Sequence, residues 1–333
     1  MTFLLAAALV LLAVSAVVSA LLLNRLNRIN YVAEPAPEAR EPAGETAPTE
    51  AEAGELSGED GLVDITGLEP REELTVPEGD VAEDDRVLNI LLLGTDQPFS
   101  RTDPGRADAI MILSLDFRDS SARLASLERG MGIPILSGKY KGQSDWLTHL
   151  YHYGGAELVM ESVRSCFKVD LERYAQVDFA AFQGVIDALG GVDVELTDKE
   201  AWKLGLPAGP NHLDGQKALS FARLRSVDSD WVRVTRQRRV IQSCVNGLRD
   251  ADLRTLYRVT DTVLPMISTN FTRKELLALL PRLLQFRGAE LEQMTVPAPG
   301  TYGGITVMGG RGAYAPDFEK NARLLHEFLY RDK

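Results

Sequence analysis

Two runs of apolar residues limit the folds open to this chain of 333 residues more than any other feature. Val87–Leu93 and Ala109–Leu115 are almost wholly apolar, which is typical of short strands buried on both faces. Further strands are predicted at Ala122–Leu127, Val192–Leu196 and Leu291–Val296, and helices at about 144–166, 179–189, 213–219, 231–248, 251–265, 273–285 and 317–330. Strands interleaved with helices predict a layered α/β domain, which we place at residues 86–333.

The amino-terminal residues form a second apolar run. Residues 2–23 contain no charged side chain, and as a helix they would span about 33 Å, enough for the hydrocarbon core of a bilayer. We predict a transmembrane signal anchor at residues 1–23. A cleavable signal peptide is the alternative, because Val18–Ala20 has the small residues of a cleavage site. Arg25 and Arg28 follow the run, so the positive-inside rule alone would place its carboxyl-terminal side in the cytoplasm.

An acidic segment follows the apolar run. Residues 31–85 are rich in Pro, Ala and Glu and hold 18 acidic residues against two arginines. Such a composition is typical of chains that do not bury a core, so we predict a disordered linker over residues 24–85. The rest of the chain has 34 basic and 30 acidic residues, and a mildly basic domain suits an anionic ligand or a membrane surface.

One segment of the domain concentrates positive charge. It contains Arg223, Arg225, Asp230, Arg233, Arg236 and Gln237. Guanidinium groups stay charged and can hold two phosphate oxygens at once. Asp230 is a predicted N-cap, and the arginines and glutamine of the following helix share one face. The segment therefore favours a pyrophosphate site over the alternative of a solvated basic helix.

Two carboxylates flank the first two strands. Asp96 follows the first strand and Asp108 precedes the second, so both are expected at strand ends, where ligands of layered α/β proteins gather. Carboxylates beside a phosphate site commonly hold Mg²⁺, although Asp96 also suits a turn. The two cysteines, Cys166 and Cys244, are too few for a disulfide framework and lie in amphipathic helical patterns, which favours two buried thiols.

The ordered set of motifs resembles the LytR-CpsA-Psr family of cell-wall enzymes over about residues 87–245. The residues that carry the resemblance are Leu91–Asp96, Gly105–Ile110, Tyr151–Gly155, Asp187–Val194, Leu213–Gly215 and Arg223–Gln237, with looser similarity at Val296–Pro297 and Tyr314–Asp317. The resemblance implies a three-layer α/β/α sandwich with a central mixed sheet, anchored in the cytoplasmic membrane and facing outward. It also implies transfer of a glycopolymer from a polyprenyl-pyrophosphate carrier to peptidoglycan or another cell-wall acceptor.

The resemblance also implies roles for individual residues. Asp96 and Asp108 match the family's Mg²⁺ carboxylates, and Mn²⁺ is an alternative ion. The positions matched to the phosphates are Arg106, Arg129, Arg223, Arg225, Arg233 and Gln237, beside which Arg236 lies in sequence. Arg129, Arg223, Arg225 and Asp230 are the expected catalytic residues, with Asp230 or Asp108 accepting the proton of the acceptor hydroxyl.

Two departures from the family pattern affect this expectation. The family usually has an acid after the arginine that corresponds to Arg129, and this chain has Gly130. Thr148 stands where the family usually has Asn. A module that binds the lipid-linked glycan without turnover, and a hydrolase that cleaves the lipid pyrophosphate, therefore remain alternatives. Nucleic acid is not an expected partner, because the acidic segment repels polyanions and stacking aromatics are sparse around the arginines.

Overall fold

The computed structural model describes residues 29–32, 63–95, 105–224, 230–283, 285–286 and 289–331. The strands of the described parts are β1 (Asn30–Tyr31), β2 (Val87–Thr95), β3 (Ala107–Asp116), β4 (Ser121–Leu127), β5 (Gly132–Pro134), β6 (Ser144–Trp146), β7 (Arg173–Val177), β8 (Val192–Leu196), β9 (Gly209–Leu213), β10 (Ser268–Thr269), β11 (Leu291–Val296), β12 (Tyr302–Val307) and β13 (Arg311–Pro316). The helices are α1 (Leu147–Phe167), α2 (Phe179–Leu189), α3 (Asp198–Leu204), α4 (Gly215–Ala222), α5 (Asp230–Asp250), α6 (Leu253–Val263), α7 (Arg273–Leu283) and α8 (Phe318–Tyr330).

Seven strands form a central mixed sheet in the order β1-β10-β7-β2-β3-β4-β11. β2 runs parallel to β7 and antiparallel to β3, while β4 runs antiparallel to β3 and parallel to β11. β2 and β3, which contain the two apolar runs, are the longest strands of this sheet, and both are buried almost throughout. The predicted α/β class with a central mixed sheet is confirmed.

Helices cover both faces of the sheet because side chains alternate between the faces along each strand. On one face, Leu92 and Met111 belong to a core that includes residues of α2 and of α4 to α7. On the other face, Leu91 and Ile110 pack with α1 and α8. The domain therefore has three layers.

Several predicted elements differ from the observed ones at their ends. α2, β8 and β11 have the predicted bounds. The helix predicted from about residue 144 begins at Leu147, because Ser144–Trp146 pairs with β5 instead. The antiparallel hairpin of β12 and β13 was not predicted, since its glycine-rich strands lack clear alternation.

Part of the predicted disordered linker packs on the domain. We call residues 63–71 the strap. Its Arg71 N donates to Gly304 O at 2.8 Å, and Gly304 N donates to the carbonyl of Glu69 at 2.8 Å, so the strap lies along the hairpin. Val63 is buried in a small cluster with side chains of the hairpin. The acidic composition of the segment hides these apolar residues, which is why the prediction of disorder fails here.

The first described residues also belong to the domain. Asn30 and Tyr31 form β1, which pairs in parallel with β10. Ile29, directly before β1, is buried in the core. These residues had also been assigned to the linker, and they instead form one edge of the central sheet.

Among the parts of the chain that the structure describes, no helix is long and apolar enough to cross a membrane. The predicted anchor at residues 1–23 lies outside those parts. It therefore stays a prediction.

The two cysteines are free thiols, as predicted. Cys166 lies in α1 and Cys244 in α5, and both side chains are buried. Burial disfavours the thiolate and raises the pKa of each thiol to about 12.

Candidate active site

The candidate site lies at one edge of the central sheet, which we call the site edge. The carboxyl ends of β2, β4, β7 and β11 meet there with the amino end of β3. The register shows this, since Thr95 pairs with Ala107 and Ile110 pairs with Leu127. Among the predicted site residues, Arg106, Asp108 and Arg129 lie at this edge, and Asp96 lies outside the described residues.

Asp108 and Arg129 form an ion pair at the site edge. Arg129 Nη1 donates to Asp108 Oδ1 at 3.0 Å. The arginine side chain is 4% exposed and the aspartate side chain is 19% exposed. The Arg129 carbonyl accepts a hydrogen bond from Thr148 N at 3.1 Å, so the start of α1 fixes the backbone at Arg129. One carboxylate is thus held in place by a buried guanidinium and keeps a partly open face.

The donor atoms at this edge suit a hard cation. Mg²⁺ prefers carboxylate oxygens and is usually held by one or two carboxylates together with substrate phosphates. The partly exposed Asp108 carboxylate provides such a donor, and Asp96 directly follows β2 in sequence. Within the described ranges no group of three His, Cys, Asp or Glu side chains forms a protein-only metal cage. The residues fit a magnesium ion that a phosphate ligand helps to hold.

Arg223 lies beside the end of β7. It directly follows α4 and is exposed. Its guanidinium carbon lies 4.3 Å from the centroid of the Phe179 ring, and Phe179 is the first residue of α2, two residues past β7. A guanidinium stacked on an aromatic ring is oriented and still able to donate to an anion. This arrangement brings Arg223 to the site edge.

Arg236 and Gln237 face inward in this structure. Arg236 is fully buried, and its Nη1 donates to the carbonyl of Leu224 at 2.8 Å. Gln237 Nε2 donates to the carbonyl of Ala222 at 3.4 Å. Both side chains therefore hold the backbone on either side of Arg223, which differs from the predicted direct contact with pyrophosphate. Their contacts indicate that they support the backbone next to Arg223.

The remaining predicted residues are described only in part. Arg225 lies outside the described residues. Asp230 is the first residue of α5 and Arg233 lies in its first turn, but their side chains are outside the described part. The predicted roles of these three residues stay predictions.

Glu200 is a buried carboxylate that the sequence did not single out. Its Oε1 accepts from Arg236 Nε at 2.8 Å and from Arg239 Nη1 at 3.1 Å. Burial opposes ionisation, but the backbone N–H of Thr197 and the two arginines together hold the pKa of Glu200 below its ordinary value. The capping box of Thr197 and Glu200 at the start of α3 was the available signal. Glu200 balances the charge of the arginine-rich helix α5.

Arg238 is a second residue that the sequence analysis missed. Its Nη2 donates to the carbonyl of Met294 at 2.6 Å and to Thr295 Oγ1. Both acceptors lie at the end of β11, so Arg238 fastens α5 to the site edge. Burial of the guanidinium lowers the pKa of Arg238.

A buried polar network lies next to Thr148. Asp145 accepts two hydrogen bonds from Arg311 Nη2 at 2.9 and 2.8 Å and one from the Tyr153 hydroxyl at 2.6 Å, and its Oδ2 lies 3.1 Å from His149 Nδ1. Burial alone would raise the pKa of Asp145, but the contact with His149, the Arg311 charge and the Tyr153 hydrogen bond hold it below its ordinary value. The network fixes the start of α1, which in turn holds the Arg129 backbone.

The family model named LytR_cpsA_psr matches residues 60–323 of this chain. The chain belongs to the LytR-CpsA-Psr family. The resemblance drawn from the sequence motifs is confirmed, and the family model includes the strap as well as the α/β domain.

Curated relatives and solved structures agree with this assignment. The chain is 32% identical over 194 residues to the polyisoprenyl-teichoic acid–peptidoglycan teichoic acid transferase TagU of Bacillus anthracis, covering 57% of this chain and 62% of TagU. It is 24% identical over 257 residues to the transferase of the same kind named TagV of Bacillus subtilis, covering 72% of this chain and 64% of TagV. The chain thus spans less than two thirds of either relative.

The solved structures show the same fold. A structure of TagT bound to LIIa-WTA has a TM-score of 0.59 and 22% identity, covering 77% of this chain and 99% of TagT. The crystal structure of B. subtilis TagV has a TM-score of 0.59 and 23% identity, and the match covers 75% of this chain and 100% of the TagV chain.

The departure at Gly130 has a structural counterpart in the strap. A Cβ atom added at Gly130 would lie 2.5 Å from Val63 Cγ2, which is closer than real Cβ contacts. Val63 therefore fills the space that a side chain at position 130 needs. In this chain an apolar side chain from the strap takes the place beside Arg129 where the family usually has an acid.

Proposed function

We propose that this protein transfers a glycan from a polyprenyl-pyrophosphate carrier to peptidoglycan or to another acceptor of the cell wall. The observation that carries the proposal is the Asp108–Arg129 pair at the site edge, with Arg223 beside the same edge. A carboxylate and guanidinium groups at strand ends suit phosphoryl transfer, in which positioning and charge neutralisation dominate. The names of the curated relatives TagU and TagV describe transferases of this class.

In the proposed reaction, the acceptor hydroxyl attacks the phosphorus atom that bears the glycan. The bond from that phosphorus to the bridging oxygen breaks, the glycan phosphate joins the acceptor, and polyprenyl phosphate leaves. Arg223 and Arg225 bind the phosphate oxygens, and Arg129 orients Asp108. The hydroxyl proton passes to a carboxylate, for which Asp230 and Asp108 are the candidates.

Asp96 and Asp108 are the residues that would hold Mg²⁺, with Mn²⁺ as an alternative. When bound, the ion supplies positive charge to phosphate oxygens. We assign Arg106 and Arg233 to binding of the phosphates as well, and Arg236 and Gln237 support the backbone next to Arg223. We further propose that residues 1–23 anchor the chain in the cytoplasmic membrane with the domain outside.

The test uses the full chain in detergent with a short-chain polyprenyl-pyrophosphate glycan, Mg²⁺ and peptidoglycan fragments. Mass spectrometry follows the transferred glycan and the released polyprenyl phosphate. We expect Asp108→Asn and Arg225→Ala to slow transfer by about 100-fold or more, the usual cost of removing one group that stabilises a transition state. Arg254→Ala, at an exposed position of α6, is the matched control and keeps the wild-type rate. Wild-type rates in Asp108→Asn would refute the site.

A second candidate function is binding of the lipid-linked glycan without turnover. The contact between Val63 and Gly130 favours it, because an apolar side chain of the strap lies beside Arg129 where the family usually has an acid. This function predicts that the full chain binds the lipid-linked glycan with Mg²⁺ or Mn²⁺ and releases neither product. Release of polyprenyl phosphate with water as the acceptor would instead identify a hydrolase.

A further inference from the structure

The direction of β1 shows where the chain enters the domain. Ser268 of β10 pairs with Gln176 of β7 in antiparallel orientation, and Asn30 pairs in parallel with Ser268. β7 runs toward the site edge, so β10 and β1 both run away from it. The chain therefore enters β1, at Ile29, from the side on which the candidate site lies.

The distance between this entry point and the apolar amino-terminal run is short. The run ends at residue 23, and Ile29, which directly precedes β1, is already buried in the core. The five residues 24–28 join them, and six peptide steps of about 3.3–3.6 Å reach roughly 20 Å at full extension. If residues 1–23 cross a bilayer, its surface lies within that distance of the entry point. Arg25 and Arg28 in this joining segment suit anionic headgroups.

Two exposed large side chains, Met266 and Tyr31, lie near the entry point. Met266 is 37% exposed in the turn that precedes β10, and Tyr31 of β1 is 36% exposed. Asn30 ties the two together, because its N donates to the carbonyl of Ile267 at 3.0 Å and its Nδ2 donates to the carbonyl of Pro265 at 3.2 Å. A single exposed apolar side chain is ordinary, but an aromatic and a methionine beside the entry of a membrane anchor suit the bilayer interface.

We propose that the site edge, through β1 and the turn at Pro265–Met266, faces the surface of the lipid bilayer. The candidate site then opens toward the membrane, and a lipid carrier reaches Arg223 and Asp108 without leaving its leaflet. This inference rests on the proposed membrane anchor and goes beyond it, because an anchor alone does not fix which side of a domain faces the lipid.

The test places a fluorescent probe on each side of the domain. The full chain is reconstituted into vesicles of phosphatidylethanolamine and phosphatidylglycerol, with and without a nitroxide on the lipid headgroup. A thiol-reactive probe is attached to Met266→Cys or, as the matched control, to Glu327→Cys, while buried Cys166 and Cys244 react slowly. Glu327 is exposed in α8, whose Tyr330 bonds Asn89 near the amino end of β2, away from the site edge.

We expect nitroxide lipids to remove at least about half of the fluorescence at position 266, since interfacial groups lie within about 10 Å of the headgroups. The probe at position 327 keeps its intensity. Equal quenching at both positions, or quenching at 327 alone, overturns the inference and leaves the anchor and the transfer reaction standing. A chain that fails to float with the vesicles overturns the anchor, and the inference with it.

Discussion

Gly130 and Val63 lie so close that a methyl group added at position 130 would clash with the side chain of Val63. Shortening Val63 to alanine should relieve that clash. The Cβ of Gly130→Ala would stand 2.5 Å from Val63 Cγ2 but 3.9 Å from Val63 Cβ. Overpacking of this kind costs about 1–3 kcal/mol. Val63→Ala removes two buried methyl groups, worth about 1.6 kcal/mol at about 0.8 kcal/mol for each. In the double variant the new methyl group occupies space that Val63 has left.

We therefore expect the free energy of unfolding of the double variant to be at least about 1 kcal/mol higher than the sum of the single effects predicts. Urea unfolding of the full chain in detergent measures this, followed by tryptophan fluorescence, since Trp146 lies in the same cluster as Val63. Gly247→Ala is the control, because its nearest neighbour stands 3.9 Å away and its effect should add to that of Val63→Ala. Additive losses in the Gly130–Val63 pair would refute the position of the strap beside Arg129.

Three further predictions concern buried groups. Glu200→Gln should lower the free energy of unfolding by about 3 kcal/mol, because it leaves the buried charge of Arg236 without its anion. In the same urea titration, the control Glu195→Gln, at an exposed position, should change the free energy of unfolding by less than about 0.5 kcal/mol. Cys166 and Cys244 should resist a thiol reagent at neutral pH until urea unfolds the chain, because burial raises the pKa of both thiols to about 12; rapid labelling of the native chain would contradict this. Because the pKa of Asp145 is lower in the folded chain, its ionised carboxylate stabilises the fold at pH values above the unfolded-state pKa of about 3.9. This stabilisation is lost as pH falls through the lower folded-state pKa. The difference in unfolding free energy between wild type and Asp145→Asn should therefore narrow as pH falls from about 5 to about 3.

The sequence predicted β2, β3, β4 and β11 of the central sheet because these strands carry dense apolar runs, but it did not predict β7 or β10. β2 and β3 are recognisable from their own residues, and α2 ends at the glycine pair that follows Leu189. The strap and β1 were missed for the opposite reason. The apolar side chains of the strap lie among acidic residues, and β1 is only two residues long. Both segments are held through contacts with residues far along the chain, such as Gly304 and β10.

The sequence could identify a residue of the candidate site only where that residue belongs to a recognisable motif. The pairing of Asp108 with Arg129 follows from the register of β3 and β4, which no local pattern reveals. Glu200 precedes its partner Arg236 by 36 residues, so composition around the arginines suggested free cations. The buried Glu200 carboxylate offsets part of the positive charge that the arginines bring to this helix.

The positions of β1 and the strap make the acidic segment between them a connection within the domain. Val32 N donates to the carbonyl of Thr269 at 2.9 Å, and Val63 packs beside Gly130, so both ends of residues 33–62 are fastened to one domain. These residues therefore connect two fixed points of the domain, as a loop does. The free-energy cost of closing a loop rises by only about 0.6 kcal/mol each time the loop length doubles. Insertions or a single protease cut there should leave the domain joined to its amino terminus. If residues 1–23 form the proposed anchor, residues 24–28 set how far the domain stands from the membrane.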